Sequence, residues 1–293
     1  MKIRLQPLAL TLLLTACSGS GPEESPTPES SPTPEAGEVS IAVNFEASVG
    51  EDAFACGTSY SGLGTTSSTF EPADLRMYVY DVQLINQAGE KVPVALTQDG
   101  KWQLNNLALL DFEDASGRCE SGTAELNTSL RGTIQDADYQ GISFVLGVPF
   151  ELNHADASTA ASPLNVTSMF WSWNSGYKFL QLDGFSTGQS NGLSVHLGST
   201  ECQKNDAGTV TGCNNPNRVE VTLTGFDPLT DPIVLDLAAL FSDVDLDVNT
   251  SGTASLCMSA PNDPECAALF ANLGLPFDGT SSSFDQQKLF RAK

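Results

Sequence analysis

The chain is short of positive charge: 13 Lys and Arg stand against 36 Asp and Glu, a formal net charge of −23. A nucleic-acid partner requires a basic footprint to neutralise phosphates, so that class is excluded. The acidity reads as the surface of a soluble exported protein. Histidine is scarce, with only His154 and His196. There is no GxSxG elbow, HExxH helix or glycine-rich phosphate loop. With its cysteines expected to pair, the chain lacks a nucleophile and a base and reads as a non-enzyme. No CxxC pair is present to clamp zinc. Beyond Leu14 no apolar run is long enough to span a bilayer.

The N-terminus carries an address. Lys2 and Arg4 precede an apolar stretch from Leu5 to Leu14 that ends in Thr15-Ala16-Cys17, a signal peptide over 1–16 that is too short to be a membrane span. Small residues ahead of a cysteine resemble the bacterial lipoprotein signal, in which Cys17 is lipidated and becomes the first mature residue. Each acyl methylene buried contributes roughly 0.8 kcal/mol of anchoring. The expected location is therefore the bacterial cell envelope, lipid-anchored and extracytoplasmic, in the periplasm or at the outer-membrane surface. After Cys17, residues 18–37 are Ser, Pro, Glu and Gly with an imperfect ESPTPE/SSPTPE repeat. Such a segment buries too little to order itself, and its prolines favour an extended spacer. The folded domain is expected over 38–293, near the upper size for one core.

Apart from Cys17 the cysteines are Cys56, Cys119, Cys202, Cys213, Cys257 and Cys266. An even count behind an export signal implies disulfides. The sequence does not choose among the pairings. Locality favours Cys202 with Cys213 and Cys257 with Cys266, short closures contributing on the order of 3 kcal/mol, which leaves Cys56 with Cys119. Thiolate metal ligation is the competing reading.

Periodicity points to strands. Val39, Ile41, Val43, Phe45, Ala47 and Val49 alternate with polar or small residues, the mark of a half-buried strand. Met77 to Ile85 forms a second, closed by the turn-prone Asn86-Gln87-Ala88-Gly89. Further strands are expected over 123–130, 141–148, 169–182, 192–197 and 218–223, with short helices over 235–241 and 264–272 and a turn over 108–112. The fold class is all-β: an antiparallel β-sandwich with few short helices, stapled by disulfides. Asp243 to Asn249 resembles the start of a calcium loop, but Val248 stands where Gly is needed and Ala254 where Glu is needed. Asp227, Asp231, Asp236 and Asp243 form a weaker candidate cation cluster.

Between the two histidines lies the run Met169-Phe170-Trp171-Ser172-Trp173-Asn174-Ser175-Gly176-Tyr177-Lys178-Phe179. In a strand, Trp171 and Trp173 share one face. This run, together with Cys56 to Gly64, Asp74 to Val79, Gly141 to Phe144 and Leu146-Gly147-Val148-Pro149, resembles the MbnP-like copper-binding family. The resemblance runs from Val39 to Gln287-Lys288-Leu289-Phe290 and includes the four-cysteine pattern of Cys56, Cys119, Cys202 and Cys213. It implies an MbnP-like copper-binding domain over 38–293 and a di-haem peroxidase-like (MbnH-like) partner enzyme. In such relatives the partner oxidises a tryptophan to kynurenine, and histidine nitrogens then hold copper together with that residue. Carried over, the ligands are His154 and His196, the modified position is Trp171 or Trp173, and Met169 and Tyr177 flank the site.

The chemistry is consistent. Imidazole suits copper, two histidines need a third donor, and indole nitrogen only donates a hydrogen. The two imidazoles are expected to converge beside the aromatic strand. A rival class is a carbohydrate-binding or adhesive lipoprotein in which Trp171, Trp173 and Tyr177 stack on sugar rings.

Overall fold

A computed structural model describes residues 37–174 and 176–293; the signal, Cys17 and most of the Pro-rich spacer lie outside these residues. The alternating run near the start forms β1 (Glu38–Val49). It buries Val43, Phe45 and Val49. The longest strand is β2 (Ser68–Asn86), followed by β3 (Leu107–Asp111), β4 (Ser129–Gln135), β5 (Tyr139–Leu146), β6 (Leu180–Ser186), β7 (Leu193–Leu197), β8 (Val219–Thr224), β9 (Ile233–Asp236) and β10 (Phe290–Ala292).

One sheet runs β10-β9-β1-β4 and ends on the short strand Ala95–Leu96. The other runs β8-β5-β2-β6-β7 and ends on Leu256–Cys257, with β3 also paired to β2. Along one edge β2 pairs with β6 from Phe70 to Met77 and then with β5 from Val79 to Asn86. The sheets close on each other through aromatic rings. Phe144 of β5 meets Phe45 of β1 at 5.7 Å and Phe290 of β10 at 5.1 Å between ring centroids. No helix among the described residues is long and apolar enough to cross a membrane.

The sandwich is as expected, with local corrections. Two pairings are parallel, β1 with β9 and β7 with Leu256–Cys257. The expected turn over 108–112 is the buried strand β3, whose five residues are all covered. A run buried on both faces loses the alternation that marks a strand. The expected strand over 123–130 begins only at Ser129. Ahead of it, the Thr123 N–H is taken by the Glu113 carboxylate at 2.8 Å and Asn127 bridges to Asp111. Leu235 and Asp236 lie in β9, and the helix starts at Leu237, where the Asp236 carboxylate accepts from Ala238 and Ala239 N–H. Such a cap fixes where a helix begins. The helix expected over 264–272 spans Cys266–Asn272.

The two local disulfides, Cys202–Cys213 and Cys257–Cys266, are formed, and the remaining pair is Cys56–Cys119 across 63 residues. Among the described residues, the four aspartates of the weaker cluster do not gather three donors within 4.8 Å of one another. Asp227 accepts from Leu229 N–H, Asp236 caps its helix and Asp243 pairs with Lys288.

Since Phe144 is 1% exposed and bridges the two sheets, Phe144→Ala should cost about 3–5 kcal/mol in denaturant unfolding. A cost below about 1 kcal/mol would mean that the sheets are not locked together there.

Candidate metal centre

The strand register builds a polar row across one face of the larger sheet. Asp111 lies opposite Arg76, Arg76 opposite Gln181, and Gln181 opposite His196. A second row places Asp74 opposite Asp183 and Asp183 opposite Ser194. Alternation puts Leu75, Met77, Leu182 and Val195 on the other, apolar face. Arg76, Asp74, Gln181, Asp111 and His196 are nevertheless all buried, so each must find partners.

They do so in a chain. Asp74 takes a bidentate pair from Arg76. The Gln181 amide donates to Asp74 at 2.9 Å and to Asp183 at 2.8 Å, while its oxygen accepts from Lys178 at 2.9 Å. Asp183 Oδ1 then accepts from Ser194 at 2.5 Å and from His196 Nε2 at 2.8 Å. Burial alone would raise the pKa of Asp183. Hydrogen bonds from His196, Ser194 and Gln181 outweigh that and hold its carboxyl below the usual carboxylate range.

An ionised Asp183 can only accept, so His196 carries its proton on Nε2. That leaves Nδ1, which is buried and has no hydrogen-bond partner. A carboxylate that orients an imidazole so that the other nitrogen presents its lone pair is a recurrent support for metal ligands. Beside His196 stands Trp171, with ring centroids 6.2 Å apart.

His154 reaches the same region from another direction. It follows the short helix Phe150–Asn153. Asn153 Oδ1 accepts from Tyr177 N–H at 2.7 Å, which turns its amide nitrogen toward His154 Nε2 at 3.0 Å. A Cβ on Gly176 would lie 3.2 Å from His154 Cε1, and Gly176 is the cross-strand partner of Trp171. Both histidines therefore border one small hairpin. His154 Nε2 is also 3.5 Å from Cys213 Sγ, and His154, Cys202 and Cys213 place donor atoms within 4.8 Å of one another. With both sulfurs in a disulfide, no thiolate is present to ligate.

The aromatic run is not one strand. A 3-10 turn over Thr167–Met169 leads into Phe170–Trp171, a turn follows, and Gly176–Tyr177 returns before β6. Asn174 N–H closes the turn on Trp171 O at 3.2 Å, and its side-chain amide donates to Ser199 O. Trp173 thus lies in the turn, and the shared-face argument fails even though its ring is 5.2 Å from that of Trp171. Trp171 is 5% exposed, Trp173 64% and Tyr177 1%. A sugar platform of all three rings is therefore absent. Met169 is fully buried, and Tyr177 packs against Tyr78 and donates to Leu164 O at 2.6 Å, so both support the hairpin from the core.

Sequence reading missed Asp183, Asn153 and Gly198. The available signal for Asp183 was its place two residues after Gln181 and thirteen before His196 in paired strands. Gly198 is dictated by packing: a Cβ there would sit 2.5 Å from the Trp171 ring and 2.9 Å from Tyr177 O.

Fold and site together define a disulfide-stapled β-sandwich with a histidine–aromatic centre over one sheet face. The MbnP family profile matches residues 38–259, and the chain belongs to that family. Its structure is similar to that of MbnP from Methylosinus trichosporium, at 29% sequence identity and a TM-score of 0.76, over 87% of this chain and 98% of that one. No curated protein matches the chain.

Two outcomes follow from the geometry. Gly198→Ala forces the Trp171 ring to move, so it should cost about 1–3 kcal/mol and shift tryptophan fluorescence; an unchanged spectrum and stability would contradict this packing. At the far end of the row, burial and then the Glu113 charge push Asp111 up to about 7, with Arg76 and the Glu113 N–H opposing and Asp74 adding. Because the folded value is the raised one, this group's stabilising contribution is full below about pH 4 and is lost as pH rises to about 7. Asp111→Asn should therefore melt higher than wild type near pH 8 and close to it near pH 4; a lower melting point near pH 8 would contradict the assignment.

Proposed function

We propose that the chain is a non-catalytic copper-binding protein of the bacterial envelope, anchored through lipidated Cys17. Its ligands are His196 through Nδ1, His154, and Trp171 after oxidation to kynurenine by a di-haem peroxidase-like partner. The observation that carries this reading is the buried, unpartnered His196 Nδ1 beside Trp171, with Nε2 committed to Asp183. An orphaned lone pair in a dry site costs free energy unless a ligand meets it.

Family membership supports copper as the ion, and imidazole nitrogen is among its preferred donors. Trp171 is favoured over Trp173 because it is buried, neighbours His196 and pairs with the glycine that abuts His154. Indole supplies no acceptor, whereas ring opening to kynurenine supplies an aryl amine and a ketone. His154 is the adjustable ligand: its Nε2 accepts from Asn153, and that amide has to turn away for the nitrogen to bind.

The test is copper competition titration on protein made with and without the partner enzyme, with peptide mass mapping. Kynurenine is expected at position 171, as a gain of one oxygen and a loss of one carbon, only when the partner is present. The modified form should bind copper far more tightly. His196→Ala should abolish tight binding, and Asp183→Ala should weaken it about 10- to 100-fold. Modification at 173 alone would overturn the assignment of Trp171, and equal affinity with and without modification would overturn the mechanism.

A further inference from the structure

Beyond the family-matched stretch, which ends at residue 259, the turn between Ala260 and the helix Cys266–Asn272 holds two acidic side chains. Asp263 is fully buried. Its Oδ1 accepts from Glu265 N–H at 3.2 Å, whereas its Oδ2 is buried without a hydrogen-bond partner. Glu265 Oε1 accepts from Thr250 N–H at 3.0 Å and from the Thr250 hydroxyl at 2.8 Å. Its Oε2 is likewise buried without a partner. The two carboxyl groups lie within hydrogen-bonding reach of each other.

No ion pair among the described residues includes either group. Glu265 and Pro264 also line a cavity of about 230 Å³ bordered by Asp243 and Asp245. Asp243 pairs with Lys288 at 2.6 Å, and Asp245 accepts from Asp247 N–H at 2.9 Å.

Two carboxylates facing each other away from solvent cannot both stay charged without a positive partner. That partner is a shared proton or a cation. We propose that Asp263 Oδ2 and Glu265 Oε2 are ligands of a divalent-cation site, and that the cation is calcium. The donors are all oxygen, with no nitrogen or sulfur in the set, which selects a hard ion. They come from an irregular turn, and the cavity beside Glu265 has room for several waters, which suits the flexible, partly hydrated coordination of Ca²⁺ better than the strict octahedron of Mg²⁺. Thr250 and the Cys257–Cys266 disulfide fasten the turn to the loop before it, so the ion would clamp two segments of the C-terminal region.

The experiment is native mass spectrometry and calorimetric titration with CaCl₂ on chelator-treated protein, comparing wild type with Asp263→Asn and Glu265→Gln. Asparagine retains the acceptor for Glu265 N–H and places an amide donor toward Glu265, so the variant is expected to fold. Wild type should bind a single Ca²⁺ and melt at higher temperature with it, and each variant should lose at least about tenfold in affinity. A wild type that neither binds Ca²⁺ nor gains thermal stability would establish the shared proton and overturn the site. Equal binding by wild type and both variants would overturn it as adsorption to the acidic surface. Should Asp263→Asn misfold, Glu265→Gln decides alone.

Discussion

The ionic pair between Arg76 and Asp74 is the interaction on which the rest depends. β2 is paired on both edges and carries the apolar core on one face, so its other face has to accommodate buried charge. Asp74, Asp111 and Glu113 all act on the Arg76 guanidinium. Removing that cation would leave several buried acids uncompensated, a far larger cost than an exposed pair represents. The pair also fixes Gln181, whose amide nitrogen bridges Asp74 and Asp183. Through Asp183 the constraint reaches His196, and the direction in which Nδ1 points is its last consequence.

The histidine–aromatic centre is thus assembled from two sources of unequal rigidity. His196 sits in a sheet interior, held by Asp183 on the neighbouring strand and by Ser259, whose hydroxyl donates to the His196 carbonyl. His154 and Trp171 belong to the covering segment, where a short helix, a hairpin and the Cys202–Cys213 disulfide meet. Rigid support on one side and loop-borne groups on the other is how binding sites commonly combine orientation with adaptability. Gly176 and Gly198 permit the close approach, each standing where a side chain would press on His154 or Trp171.

Much of this was legible in the sequence. Alternation from Val39 to Val49 gave β1, local spacing gave two disulfides and by remainder the third, and the scarcity of histidine directed attention to residues that do border one hairpin. What was hidden is hidden for physical reasons. The first half of β2 contains Pro72, Asp74 and Arg76, which read as breaks because their partners lie on other strands. β3 is apolar at nearly every position, so it shows no period. Within Met169 to Leu182, Asn174 and Gly176 outweigh the β-propensity of the aromatics, and the chain turns where continuous extension was expected. Asp183 resembles any surface aspartate until the register with His196 is known.

The central claim is that His196 presents Nδ1, and not Nε2, to copper beside an oxidised Trp171. Anomalous diffraction at the copper edge on crystals of the modified protein addresses it directly. The account predicts a single copper site with His196 Nδ1 at about 2 Å, the usual metal–imidazole distance, and the Asp183–Nε2 hydrogen bond intact. Copper bound through Nε2 with that bond broken, or held by sulfur from an opened Cys202–Cys213 pair, would contradict it.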